Sequence, residues 1–250
     1  MRQQQILFDL DDTLIHCNKY FGLVLGQFFE TLQGWFGETV LPTEDIRRKQ
    51  IEIDVEEIQH TGFKSDNFPR SLIETYRYFS QKFSRPISPS EERLLNELGR
   101  SVYDQEVEAY PGMVETLDNL KQQGHELYLY TGGETAIQQR KIDQMKLDVY
   151  FDDRIFIRQH KTIEALEQIL KKGAFDRSAT WMIGNSLRTD IIPAMAAGIA
   201  GIYIQQPDEW EYNIVDLKHK PHNELYTVSA LTEVPSVVED KIINNTKQRT

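Results

Sequence analysis

The amino-acid sequence predicts an α/β fold, in which a parallel sheet with helices on both faces is joined to a second, all-helical domain. Residues 6–8 form a short apolar run that ends abruptly in acidic residues, as expected of a buried parallel strand. After residue 112, short apolar runs alternate with amphipathic segments, which predicts repeated strand–helix–strand units. Between these regions, residues 17–105 carry apolar and aromatic residues at helical spacing.

The domain organisation follows from this change of pattern. We expect a Rossmann-like core made of residues 1–16 and 106–250, and a helical domain over residues 17–105. The helical segment leaves the chain directly after the first predicted strand. We therefore expect it to lie above the carboxyl end of that strand as a cap.

The core elements are predicted from apolar runs and from the residues that end them. Further strands are predicted at 127–130, within 149–157, at 180–183, at 199–204 and at 226–228. Helices are predicted at 113–123, 134–145, 163–172 and 191–197, and near 234–238. Glycines at 124, 173 and 198 follow three of these helices, where a left-handed residue commonly ends a helix.

Polar residues follow three of the predicted strands. Asp9 and Asp11 follow the first strand, Thr131 and Gly132 end the second, and Asn185 follows the strand at 180–183. In open parallel sheets, ligands bind beyond the carboxyl ends of the strands. If these strands are neighbours, the three groups meet in one crevice.

Asp9 and Asp11 have one residue between them on an extended segment, so their side chains point the same way. Like charges held this close repel unless a cation lies between them or one takes a proton. A hard divalent ion such as Mg²⁺ prefers oxygen ligands of this kind. Asp9 would then be able to attack phosphorus, with Asp11 as general acid and then base. A solvated acidic turn would contain the same two residues, so the pair alone does not distinguish a catalytic site from such a turn.

Four segments in this order resemble the haloacid dehalogenase-like (HAD) superfamily. The first is FDLDDT at 8–13, the second is LYTG at 129–132, the third is Lys161, and the fourth is GNSLRTD at 184–190. The segment YPG at 110–112 is typical of the return from a helical cap inserted after the first motif. The resemblance covers most of the chain outside that insertion.

The resemblance implies a role for each matched residue. Asp9 would be the nucleophile and Asp11 the acid/base, with the Asp11 backbone carbonyl on the metal. Thr131 and the Gly132 amide would bind the transferring phosphoryl group, and Lys161 would balance charge on the nucleophile and phosphate.

Two of these matches have alternatives in the sequence. Lys146 and Arg158 compete with Lys161 for the role of the cation, because the third motif is loose. Thr131 and Gly132 would also suit an ordinary turn.

The fourth segment departs from the family pattern, which usually has Asp directly after its glycine. Here that residue is Asn185, whose amide oxygen can ligate Mg²⁺ without bringing a charge. We expect the metal ligands to come from Asp9, Asp11, Asn185 and Asp190, with Asn185 bound directly and Asp190 beside it. Asp190 would alternatively cap the following helix.

The resemblance implies a Mg²⁺-dependent phosphatase, a phosphoric monoester hydrolase that acts on a small phosphorylated metabolite through an aspartyl-phosphate. A 2-haloacid dehalogenase would use the same nucleophile but needs neither Mg²⁺ nor Asp11. A phosphomutase stays possible, and a phosphonatase would need a cap lysine, for which Lys19, Lys49 and Lys64 are available. A non-catalytic binding module would be expected to lack one of Asp9, Asp11 or Lys161.

The net charge of the chain limits the kinds of molecule that it is expected to bind. The net charge of −11 disfavours nucleic acid, which binds basic surfaces.

The single cysteine, Cys17, allows no internal disulfide and fits a cytoplasmic protein. No segment suits a signal peptide or a membrane span, and we expect a monomer or homodimer. The histidines have no zinc-ligand spacing; they are His16, His60, His125, His160, His219 and His222.

Overall fold

The computed structural model describes residues 2–206, 209–215 and 225–247. The chain divides into two compact units. The first contains Met1–His16 and Val107–Thr250, and the second contains Cys17–Glu106. No described helix is both long enough and apolar enough to cross a membrane.

The second unit is built from four helices and a closing 3₁₀ turn. They are α1 (Asn18–Phe36), α2 (Thr43–Thr61), α3 (Asn67–Lys82), α4 (Pro89–Arg100) and the turn Ser101–Asp104. Its core takes Val24, Phe28 and Leu32 from α1 and Leu72 and Tyr76 from α3. Each set is spaced by four residues and therefore shares one helix face.

In its described part, the first unit contains a parallel sheet of six strands. They are β1 (Gln5–Phe8), β2 (Glu126–Gly132), β3 (Ile155–Arg158), β4 (Thr180–Gly184), β5 (Ala200–Ile204) and β6 (Leu225–Val228). Their order is β3-β2-β1-β4-β5-β6. Phe8 pairs with Leu129 on one side and Ile183 on the other, so the polar residues that follow the strands end up side by side.

Helices cover both faces of the sheet. They are α5 (Met113–Gln122), α6 (Thr135–Gln144), α7 (Asp148–Phe151), α8 (Ile163–Lys172), α9 (Ile192–Ala196) and α10 (Val234–Lys247). Phe8 faces the apolar cluster that includes α5, α6 and α10, whereas Leu7 faces the cluster that includes α8 and α9. Successive strand residues point to opposite faces, and the predicted α/β, Rossmann-like fold is confirmed.

The short strand expected within 149–157 is β3, at the end of that range, and it continues to Arg158. The helical turn α7 before it was not predicted. In this turn Phe151 is fully buried against Phe8, and Asp152, at φ 50°, ends the turn. The helix expected at 191–197 is preceded by a π-helical turn, Leu187–Ile191, so α9 begins one residue later.

Candidate active site

The candidate site lies where the chain reverses its progress across the sheet. From β1, the strands β2 and β3 lie on one side, and β4, β5 and β6 lie on the other. Open parallel sheets bind ligands in the crevice at such a reversal. Asp9 follows β1, Asn185 follows β4 and Thr131 lies near the end of β2, so the sheet order brings these residues to the same edge.

Asp9 is buried and has a separate partner for each carboxylate oxygen. Lys161 Nζ lies 2.7 Å from Asp9 Oδ1, and Thr13 Oγ1 lies 3.2 Å from Asp9 Oδ2. Burial raises the pKa of Asp9 to about 7; the charge of Lys161 opposes this shift, and those of Asp190 and Asp11 add to it. The ammonium group therefore favours the carboxylate form, which is the nucleophilic one.

Lys161 is the cation of the site, and its side chain is only 2% exposed. It forms ion pairs with Asp9 and Asp190, and its Nζ lies 4.9 Å from the centre of the Tyr130 ring. Burial acts to lower the pKa of Lys161, but the charges of Asp190 and Asp9 raise it overall. A buried cation between two carboxylates is stabilised by both of them.

Asp190 is held from two sides. Besides the Lys161 ion pair, its Oδ2 accepts a hydrogen bond from the Ser186 backbone N–H at 3.0 Å. A Cβ at Gly184 would lie 2.2 Å from Asp190 Oδ2, so this carboxylate fits only against a glycine. The alternative role of Asp190 as a helix cap is wrong, because α9 has no side-chain cap and the carboxylate points back to Ser186.

Thr13 joins Asp9 to the loop after β4. Its hydroxyl lies 3.2 Å from Asp9 Oδ2 and 3.3 Å from Asn185 Oδ1, and it accepts the Asn185 backbone N–H at 3.2 Å. The Asp9 carboxylate and the Asn185 amide oxygen therefore converge on one hydroxyl. Sequence reasoning quoted Thr13 within the first motif but gave it no role.

Asp11 turns to different partners from those of Asp9. Lys141 Nζ lies 2.7 Å from Asp11 Oδ1, and Gln138 Nε2 donates to Asp11 Oδ2 at 2.9 Å. The same amide nitrogen donates to Thr131 Oγ1 at 2.7 Å. The acid expected to exchange protons is thus tied to the threonine expected to bind the phosphoryl group.

The predicted site residues form two connected groups. Lys161 joins Asp9 to Asp190, and Thr13 adds Asn185. In the second group, Gln138 joins Asp11 to Thr131. The Gly132 carbonyl lies 3.5 Å from Thr131 Oγ1.

Of the competitors for the cation role, Arg158 donates to the neighbouring Ile157 carbonyl, and it is Lys161 that the structure places on Asp9.

Besides Thr13, three further side chains near the site had no role in the sequence prediction. They are Gln138 and Lys141 on α6, and Gln206, which donates to the Asp12 carbonyl at 2.9 Å. Gln138 and Lys141 are three residues apart, which puts them on one helix face. Many polar pairs share that spacing, and only the packing of α6 shows that this pair meets Asp11.

The oxygen donors of the first group fit a hard divalent cation. Asp9 offers a carboxylate and Asn185 an amide oxygen, both of which Mg²⁺ accepts. The carboxylate of Asp190 already binds Lys161 and the Ser186 N–H, which suits a place beside the ligands.

Within the described ranges, no three His, Cys, Asp or Glu side chains come together as a metal-binding group. His219 and His222 lie outside the described residues.

A family model described as haloacid dehalogenase-like hydrolase matches residues 6–204. Pyrophosphatase PpaX of Bacillus cereus (strain AH820) is 26% identical over 204 residues, which cover 79% of this chain and 81% of the relative. PpaX of Bacillus mycoides (strain KBAB4) is 24% identical over the same length and the same shares. The matched range contains the predicted site residues, which are Asp9, Asp11, Thr131, Gly132, Lys161, Asn185 and Asp190.

Solved structures share the fold. A haloacid dehalogenase-like family hydrolase from Xanthomonas campestris superposes with a TM-score of 0.79 at 23% identity, covering 98% of this chain and 94% of that one. YfnB from Bacillus subtilis, assigned to the HAD hydrolases and solved bound to magnesium, gives 0.68 at 20% identity, with 96% and 100% coverage. 2-Haloacid dehalogenase from Pseudomonas syringae pv. tomato DC3000 gives 0.58 at 18% identity, with 96% and 99% coverage.

Proposed function

The chain belongs to the haloacid dehalogenase-like hydrolase family, and we propose that it is a Mg²⁺-dependent phosphatase with Asp9 as its nucleophile. The family resemblance of the four sequence segments is confirmed by the family match over residues 6–204. Phosphatases and dehalogenases share this fold, so the choice between them depends on the site itself.

The observation that carries the proposal is the second carboxylate, Asp11, held beside Thr131. Displacement of halide from carbon needs no proton for the leaving group, because halide is a weak base. Displacement of an alkoxide from phosphorus does need one, and a positioned carboxylic acid can supply it. Gln138 links Asp11 to Thr131 through two hydrogen bonds, and this link supports the proposal that Asp11 gives its proton next to the phosphoryl group.

The proposed reaction has two steps. Asp9 attacks phosphorus, forming an acyl-phosphate bond while the bond to the leaving oxygen breaks and Asp11 gives that oxygen its proton. Asp11 then takes a proton from water, whose oxygen attacks phosphorus and releases phosphate and the Asp9 carboxylate. Lys161 and Thr131 stabilise charge on the phosphoryl oxygens in both steps.

Mg²⁺ would be held by the Asp9 carboxylate, the Asn185 amide oxygen and the Asp11 backbone carbonyl, with Asp190 beside them. When bound, it would neutralise charge on the phosphoryl oxygens and on Asp9. Replacing Asn185 by Asp adds a negative charge to this set, so we expect tighter Mg²⁺ binding. An unchanged affinity in a Mg²⁺ titration would remove Asn185 from the ligands.

The substrate is proposed to be a small phosphorylated compound. The relatives called pyrophosphatase PpaX make pyrophosphate one compound to test beside phosphate monoesters. The segment 17–105 is proposed to select among such substrates, in line with the family resemblance. A cytoplasmic monomer or homodimer is also proposed, and sedimentation of the purified protein would decide the oligomeric state.

The test is turnover of p-nitrophenyl phosphate, pyrophosphate and a 2-haloacid, each with Mg²⁺ and with EDTA. We expect phosphate release that requires Mg²⁺ and that falls roughly 10³-fold or more in Asp9→Asn. The variant should unfold at the same urea concentration within a small margin, since Lys161 keeps Asp190 as a partner. Wild-type rates in Asp9→Asn, or haloacid turnover that survives EDTA, would overturn the proposal.

A further inference from the structure

We propose that Gln138 and Lys141 of α6, here named the Asp11 clamp, position the carboxylate of Asp11 for proton transfer. The inference deepens the proposed phosphatase function and rests on it. Neither residue lies in the four segments that resemble the family motifs. Both are positioning residues, because they act on the substrate through Asp11.

The Asp11 clamp holds both oxygens of one carboxylate. Lys141 Nζ binds Oδ1 at 2.7 Å, and Gln138 Nε2 binds Oδ2 at 2.9 Å. A single contact would leave the carboxylate free to rotate about its last bond. Two contacts from different directions fix both its position and its plane, and the charged one is the stronger of the two.

Gln138 also sets where the carboxylate is held. A primary amide nitrogen carries two hydrogens, and here one goes to Asp11 and the other to Thr131 Oγ1 at 2.7 Å. Gln138 is 2% exposed, so water competes little for these hydrogen bonds. If Thr131 binds the transferring phosphoryl group, Asp11 is held at a fixed offset from it.

The backbone before α6 is shaped to admit Gln138. Gly133 has φ 135°, a backbone conformation that residues other than glycine rarely adopt. A Cβ at this position would also come within 3.0 Å of Gln138 Cγ. One turn further along the same face of the helix, Ile142 is buried in the core cluster, which anchors α6 against the sheet.

Positioning of this kind affects the rate most when the leaving group needs a proton. A misplacement of about 1 Å can cost about 100-fold in rate, and a positioned acid contributes about 100-fold or more. p-Nitrophenolate is a weak base that leaves without help, whereas phenolate benefits from protonation. Loss of the Asp11 clamp should therefore steepen the dependence of kcat/KM on the leaving group.

The kinetic test compares Gln138→Leu and Lys141→Met on phenyl phosphate and p-nitrophenyl phosphate, with Mg²⁺ present. We expect kcat/KM to fall roughly 10- to 100-fold on phenyl phosphate and about 3-fold or less on p-nitrophenyl phosphate. Lys141→Arg, which keeps a charged donor, should recover much of the loss. Equal losses on both substrates would show a general structural defect and overturn the proposal.

Matched controls exist on exposed surfaces. Gln139 is the next residue on α6 and donates to Asp143 on the exposed helix surface, so Gln139→Leu should leave the rates and their leaving-group dependence unchanged. Lys171, exposed in the last turn of α8, gives the control Lys171→Met. Steeper leaving-group dependence in either control would overturn the assignment to the Asp11 clamp.

A crystallographic comparison separates this inference from the proposed function. In the double variant Gln138→Leu/Lys141→Met, we expect the Asp11 carboxylate to leave its place beside Thr131. A carboxylate that keeps its wild-type position overturns the Asp11 clamp whatever the activity. Wild-type protein that releases no phosphate from any substrate overturns the phosphatase proposal instead, and the crystal structures then still decide whether the two residues fix Asp11.

Discussion

Asp9 and Asp54 are buried carboxyl groups, one in each unit of the chain. Each is 7% exposed, and burial raises the pKa of each to about 7. Their surroundings differ. Asp9 faces the ammonium group of Lys161, whereas Asp54, on α2, has a hydrogen bond to the Ser71 hydroxyl and the negative charge of Glu57 nearby.

The comparison of Asp9 with Asp54 shows that a raised pKa is not by itself evidence of a catalytic carboxyl group. Desolvation favours the neutral acid at both positions. At Asp9 a buried cation offsets part of that effect, which favours a charged carboxylate at the edge of the sheet. Among the described residues no ion pair involves Asp54, which therefore has the features of a structural acid within a helical core.

The largest expected effect comes from removing the cation. Lys161→Met leaves Asp9 and Asp190 buried without their shared partner, so we expect a loss of roughly 3–5 kcal/mol in the free energy of unfolding at pH 7. Phosphatase activity should also be lost. Urea unfolding measures the first effect, with Lys171→Met as the exposed control. An unchanged unfolding free energy would mean that the ion pairs of Lys161 do not stabilise Asp9.

The second prediction concerns Asp54 and pH. Burial raises the pKa of Asp54 to about 7 in the folded protein, whereas the unfolded chain releases this proton near the ordinary aspartate pKa of 3.8. The folded state therefore binds more protons between these values, and stability falls as pH rises through this window. Asp54→Asn removes the titrating group. We therefore expect the unfolding free energy of the variant, measured relative to that of wild type, to be higher at pH 8 than at pH 4 by roughly 2–4 kcal/mol.

Urea unfolding of wild type and Asp54→Asn at pH 4, 6 and 8 measures this difference, because the contributions of all other groups cancel between the two proteins. Asp45→Asn is the matched control in the same helix, at a half-exposed aspartate paired with Arg48. It should change stability by about 1 kcal/mol at most. A difference between wild type and Asp54→Asn that does not vary with pH would show that Asp54 is not a buried titrating group.

A smaller effect is expected from Gly184→Ala, which disturbs the surroundings of Asp9 through Asp190. The new methyl group would lie 2.2 Å from Asp190 Oδ2, so the carboxylate must shift and the Lys161 contact must weaken. We expect about 1–3 kcal/mol of destabilisation and reduced activity. Gly201→Ala is the control, since its Cβ would meet neighbours at 3.6 Å, an ordinary contact distance. Equal stability of the two variants would contradict the prediction.

The amino-acid sequence was enough to predict the α/β class and the places where most strands and helices lie. These features follow from local periodicity, as α8 shows: its predicted bounds of 163–172 are those of the structure. The run of Asp9 and Asp11 after an apolar strand, with three further segments in order, also indicated the family, and it predicts Asp9 as the nucleophile. Local patterns did not predict α7, because an apolar run such as 149–151 is compatible with either a strand or a helical turn.

The side-chain contacts between residues distant in sequence became known from the tertiary structure alone. Lys161 contacts Asp9 across 152 residues of sequence, and Gln138 contacts Asp11 across 127. Such contacts depend on strand order and on which face of a helix packs inward, and neither is set by the residues nearby in sequence. The burial of Asp54 has the same origin, because a short acidic stretch on α2 gives no sign of which carboxyl group faces the helical core.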